Sequence, residues 1–367
     1  MSEKLWYKVA RTIIKAGRFP IPINDTLLKL LKNLIPQDYA EFLLVFKKPS
    51  LTLEEIKKKV DFEEELILKI LNELMYKGLI IGTESKSAGV MVYRLMSLWP
   101  GIFEYQFLRG NYSEKDRKIA QLFEDLFKEL IEGTQKNYKT IVKAFKNSPA
   151  TDRTIPIEET IDVGTEITMP FEELKAYLEE YDDIALANCY CRHEKELIGD
   201  PCKIDAPKNN CFLFDKSAKF AIEQKFARPV SKEEAFKIFR EAEDFGLVHK
   251  VFHVHSDPSK GIEAICNCCK CCCGMFQLYY RGVMPLHTLS SYTAQIDETK
   301  CIGCGTCVKM CPMETIYLDD SIANINHKKC IGCGVCAHHC QEGAIHLEHT
   351  DLREVFIPPK KLETNII

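Results

Sequence analysis

Apolar residues recur at helical spacing through the first third of the chain. Leu5, Val9, Ile13 and Ala16 place one apolar stripe on a helix that Pro20 and Pro22 interrupt, and residues 25–34 read as a second helix. The pattern predicts a further helix over residues 38–46, and Thr52 with Glu55 forms the capping box of the next. A third, over residues 62–77, has Leu66, Ile67, Ile70, Leu71, Leu74 and Met75 as its buried stripe and Gly78 as its stop. The period then changes. Residues 79–83 and 90–95 alternate as two strands joined by a polar loop, 84–89. After an aromatic-rich stretch from Trp99 to Phe107, residues 113–132 form a long amphipathic helix.

Residues 147–165 carry Pro149, Pro156 and Gly164 and little periodicity, so they read as a connection. Beyond it, helices over 171–181, 217–226 and 231–245 alternate with short apolar strands at 183–188 and 247–255; Ser231 and Glu234 make a second capping box. The divisions that follow are a basic amphipathic leader (1–35), a helical domain with a hairpin and a packing helix (36–135), a linker (136–165), a cysteine-rich α/β domain (166–292), a βαββαβ unit (293–350) and a tail (351–367). The chain is therefore expected to be an α+β multidomain protein.

The order of helices and hairpin in residues 36–110 resembles a winged helix, a fold common among transcription regulators. A DNA-reading member would present the start of its third helix to the major groove. Here that start holds Asp61, Glu63, Glu64 and Glu65, and residues 36–110 carry ten basic against eleven acidic side chains, which disfavours DNA as a partner. The leader carries a net charge of +5, so peripheral membrane contact stands beside the favoured reading, packing on the next domain. No apolar run is long enough to span a bilayer and no signal-peptide pattern is present, which gives a cytoplasmic expectation.

Eighteen cysteines in a chain without an export signal read as thiolates on metal. Eight fall into two runs offset by 29 residues: Cys301, Cys304, Cys307 and Cys311, then Cys330, Cys333, Cys336 and Cys340. Each is C-x2-C-x2-C-x3-C, a spacing that holds [4Fe-4S] clusters with the fourth cysteine crossing to the other cube. Cys301, Cys304, Cys307 and Cys340 are then assigned to one cluster, and Cys330, Cys333, Cys336 and Cys311 to the second. The block resembles the bacterial-type dicluster ferredoxins, with Gln341 where that family usually has proline.

The other ten cysteines lie in 166–292: Cys189, Cys191, Cys202, Cys211, Cys266, Cys268, Cys269, Cys271, Cys272 and Cys273. So many clustered thiols call for metal. One or two further iron–sulfur clusters are expected; two [4Fe-4S] clusters sharing eight of the ten are the preferred partition, which eight being open, with an edge-bridged double cubane or a cluster with one open iron beside it and zinc the lesser alternative. Arg192 and Lys270 lie inside these motifs and could offset cluster charge. His249, His253 and His255 share one face of a strand and are expected to meet solvent.

Taken together, the winged-helix-like start, the C-x-C-R-H-E motif, the dense cysteine block and the terminal unit resemble a family of multi-cluster iron–sulfur proteins from strict anaerobes and archaea. That resemblance implies electron transport between a redox donor and an acceptor protein, as part of an oxidoreductase system. Phosphate-binding, dinucleotide-binding and nucleophile-elbow motifs are absent. Two other functions stand beside electron transport: a reductase whose active site is a non-standard cluster in 166–292, and a redox-sensing transcription regulator.

Overall fold

The computed structural model describes residues 3–17, 21–85, 89–162, 173–253 and 261–363. The centre of the expected hairpin loop, the end of the expected linker, the start of the helix expected from residue 171, and His255 lie outside these. Contacts divide the chain into two compact units. Unit one comprises residues 1–130, 187–201 and 218–228; unit two comprises 131–186, 202–217 and 229–367. The stretch 166–292 is thus shared between them.

Unit one begins with α1 (Glu3–Ala16) and α2 (Asp25–Leu34), the latter capped by Asn24, whose side chain accepts the Leu27 amide at 2.9 Å. Trp6, Val9, Ala10 and Ile13 are buried, so the apolar stripe of the leader is used inside the unit. Two 3-10 turns, Gln37–Tyr39 and Phe42–Val45, replace the helix expected over 38–46. The run of consecutive apolar residues has no polar face, and short turns sink Phe42, Leu43 and Val45 together.

Next come β1 (Leu51–Thr52), α3 (Leu53–Lys57), α4 (Glu64–Tyr76), β2 (Ile80–Glu84) and β3 (Met91–Leu95), with sheet order β1-β3-β2. The Thr52–Glu55 capping box is closed by bonds of 3.0 and 3.2 Å. Leu66, expected in the core stripe of α4, is exposed at its edge. Beyond α5 (Ile102–Phe107), helix α6 (Glu114–Lys136) presents Phe127 to Trp99 at a 4.9 Å ring separation and Phe123 to Phe103 at 4.9 Å.

The remaining helices are α7 (Tyr138–Lys146), α8 (Leu174–Glu180), α9 (Tyr190–Leu197), α10 (Asp215–Glu223), α11 (Lys232–Asp244), α12 (Gly274–Tyr280), α13 (Thr306–Met310) and α14 (Val335–His338). The remaining strands are β4 (Asp152–Ile155), β5 (Ile184–Asn188), β6 (Asn209–Phe214), β7 (Arg228–Pro229), β8 (Val248–His253), β9 (Ile262–Cys268), β10 (Leu286–Ile296), β11 (Ile316–Asp319), β12 (Ile322–Ile325) and β13 (Ile345–Ile357). Eight strands form one sheet in the order β13-β10-β4-β8-β9-β6-β5-β7. Ile155, Phe212, Phe239, Val251 and Ile265 build a core in unit two.

Two expectations change here. The linker contains α7 and, in β4, a central strand that pairs with both β10 and β8. Its sequence gave no apolar alternation because Asp152, Arg153 and Thr154 are buried polar residues; Lys250 bonds Asp152 at 2.5 Å, and Thr154 meets Thr288 at 3.1 Å. The tail from residue 351 continues β13 to Ile357, with Val355 and Ile357 buried and Pro358 following. Strands β10 and β13 pair antiparallel along their lengths, so the βαββαβ unit shares the large sheet instead of hanging from it.

Candidate metal centre

The two crossed cysteine sets line two separate cavities. Cys301, Cys304, Cys307 and Cys340 face one, together with Ile302, Leu318 and Ala323. Cys311, Cys330, Cys333 and Cys336 face the other, together with Met313, Ile331 and Leu347. The crossing follows from the helices. Cys307 sits in α13 while Cys311 ends it; α14 likewise carries Cys336, and Cys340 follows it.

The backbone of both loops packs closely against neighbouring chain. Gly303 and Gly332 have φ of +67° and +63°, and a Cβ would lie 2.1 Å from the Ser321 carbonyl oxygen or 2.2 Å from that of Tyr292. Around the first cavity, the Ala323 amide donates to Cys301 Sγ at 3.4 Å, and the Thr306 hydroxyl lies 3.5 Å from Cys304 Sγ. Around the second, Cys311 Sγ accepts the Thr315 amide at 3.5 Å. Such donors stabilise thiolate sulfur. A glycine-lined loop, four convergent thiols and N–H donors on sulfur fit an iron–sulfur cube in each cavity.

The two cavities differ in environment. Cys304 is exposed and Ile302 is 66% exposed, so the first opens to the surface. Cys330, Cys333 and Cys336 are buried under residues 157–162, where the Ile157 amide bonds the Cys333 carbonyl at 3.3 Å. Burial raises the Cys333 and Cys336 thiols above their ordinary range, while hydrogen bonding from Thr306 lowers Cys304. Arg353 ties the second loop to the sheet by donating to the Tyr292 carbonyl at 3.1 Å and to the Cys330 carbonyl.

In unit two, the dense cysteine block separates into two groups. Cys202, Cys269, Cys271 and Cys272 have Sγ atoms all within 4.8 Å of one another. Cys202 Sγ is 3.6 Å from Cys271 and 4.0 Å from Cys269, and Cys271 is 3.6 Å from Cys272. Crowding spreads their proton affinities. Cys202 is raised to about 12, first by its hydrogen bond to Cys269 and then by burial, whereas hydrogen bonds from Cys269 and Cys272 hold Cys271 down to about 3.

The second group lies on the sheet. Cys211 and Cys266 are partners across β6 and β9 with sulfurs 3.7 Å apart. Cys268, two residues along the same face, shares hydrogen bonds with Cys266 and Cys273. The fully buried Lys250 ammonium acts electrostatically on Cys268 and Cys273, a partner that no sequence motif announced.

Cys189 and Cys191 are buried in unit one, at the cap and in the first turn of α9, and Arg192 beside them is buried too. Lys270 points its ammonium to Glu314 at 2.6 Å on the surface. The histidines expected in solvent are not there: His249 is buried, 2.6 Å from Asn267 and 3.2 Å from Glu243, and His253 is buried as well. Their strand is central in the sheet, with strands on both sides.

Among the described residues, no helix is long and apolar enough to cross a membrane. No curated protein and no solved structure matches the chain. Residues 293–341, however, match the family model described as a 4Fe-4S dicluster domain. The C-terminal part of this chain is therefore a dicluster domain of the ferredoxin type, with an iron–sulfur electron-transfer role.

Proposed function

We propose that the chain relays single electrons between a redox donor and an acceptor protein. In this reading Cys301, Cys304, Cys307 and Cys340 hold a [4Fe-4S] cluster at the surface, and Cys311, Cys330, Cys333 and Cys336 hold a buried one. Bound clusters supply one-electron storage, each cube changing charge by a single unit. The exposed surface at Ile302 and Cys304 is the docking side, because electron exchange favours the cluster that a partner can approach. The N–H groups of Ala323 and Thr315 and the Thr306 hydroxyl favour the more negative, reduced state.

A further metal site is proposed at Cys211, Cys266, Cys268 and Cys273, whose sulfurs meet between β6, β9 and the start of α12. The observation that carries the whole reading is the separate cavity each crossed cysteine set lines. Oxygen-free protein should hold about eight irons in the two ferredoxin-type cubes, four per cube. Cys304→Ser should slow reduction by a partner or mediator more than Cys333→Ser does, because it disturbs the exposed cluster. A colourless protein, or one holding no more than trace iron, sinks the proposal.

A further inference from the structure

The spacing of the tight thiol group does not suit a cube. Four thiolates around one ion with metal–sulfur bonds of about 2.3 Å lie at tetrahedron corners about 3.8 Å apart. Thiolates on the four irons of a cube lie roughly 6 Å apart, because each binds a different metal atom. The separations in the tight group are 3.6, 3.6 and 4.0 Å, all at the single-ion value. Among the described residues, no other set of three or more cysteine, histidine or carboxylate ligand atoms lies wholly within 4.8 Å. The eight ferredoxin-type cysteines, all described, are excluded from that class by their wider spacing.

The surroundings agree with the spacing. Cys202 sits in a loop whose Ile204 and Ala206 amides donate to its sulfur, and the Lys203 amide donates to Cys271. Ala242 and Leu247 cover Cys269 and Cys272 with apolar surface, while Cys202 and Cys271 lie nearer solvent. Four soft ligands at single-ion spacing with amide donors on sulfur make a four-sulfur set to which, among the described residues, no further His, Cys, Asp or Glu is added.

We propose that Cys202, Cys269, Cys271 and Cys272 bind a single zinc ion that pins the loop at residues 202–206 to the end of β9. The ion replaces the thiol protons, which leave to solvent, and no electron is transferred. The site is independent of the relay, since zinc has one accessible oxidation state.

The test uses the full chain purified without oxygen. It should contain about one zinc per chain, and the zinc-edge absorption spectrum should show four sulfurs at about 2.3 Å with no metal neighbour. Cys202→Ser with Cys271→Ser should remove that zinc and leave the iron content unchanged. Loss of about four irons in that variant would show a cube and overturn the proposal. Absence of zinc from the unmodified chain, or a zinc shell of nitrogen and oxygen, overturns it equally, and these two readings do not depend on how the variant folds. The iron of the dicluster domain reports separately on the relay.

Discussion

Lys250 and Asp152 are the sharpest test of how unit two is held together. Both side chains are fully buried and their charged atoms are 2.5 Å apart. Burial alone would pull the lysine down, but Asp152 overrides it and the net shift is upward. A raised ammonium keeps its contribution through neutral pH and loses it only as pH climbs past the lysine range. Lys250→Met leaves a buried carboxylate without its cation, and breaking such a pair from one side costs about 3–5 kcal/mol. For a unit of this size, about 2–4 °C per kcal/mol converts that to a fall in Tm of roughly 6–20 °C. Lys250→Met with Asp152→Leu should recover most of the loss, since replacing both partners with apolar groups is often neutral. The assay is oxygen-free thermal unfolding at one fixed scan rate, followed by circular dichroism. A single variant within about 2 °C of the parent, or a double variant as weak as the single, would refute the burial argument.

Other consequences concern the metal-binding loops. Gly332→Ala places a methyl against the Tyr292 carbonyl at a φ of +63°, so the purified variant should lose about four irons and keep the surface cluster; an unchanged iron assay would contradict the packing. Removing the metals should make stability pH-dependent. The buried Cys333 and Cys336 thiols, raised by desolvation, favour the folded metal-free chain while protonated, and that contribution is lost as pH rises from 9.0 through their folded values. The Tm of metal-free protein should therefore fall on the alkaline side of pH 9.0, and that of loaded protein should not follow it. Arg353→Leu removes a donor from the Cys330 carbonyl and one of two side-chain donors from the Tyr292 carbonyl, which keeps the Ser290 hydroxyl, and about 1–3 kcal/mol of lost stability should appear as faster iron release to a chelator.

Local chemistry was legible without coordinates where the residues concerned are neighbours in the chain. The paired C-x2-C-x2-C-x3-C runs, the Thr52–Glu55 box and the apolar stripe of α6 are such features, because their geometry is set within one or two turns of backbone. Residue spacing could not divide the dense cysteine block. Cys202 joins Cys269, Cys271 and Cys272, and Cys211 joins Cys266, through a loop and a strand register fixed by residues far away in sequence. The same reason hid β4. A strand normally announces itself by apolar alternation, but Asp152 and Thr154 are tolerated in the sheet because Lys250 and Thr288, about a hundred residues on or more, supply their partners. The amino-acid order thus pointed to an iron–sulfur dicluster domain in the C-terminal part of the chain. Only the folded sheet decided which remaining sulfurs meet, because long-range strand pairing sets distances that no local pattern encodes.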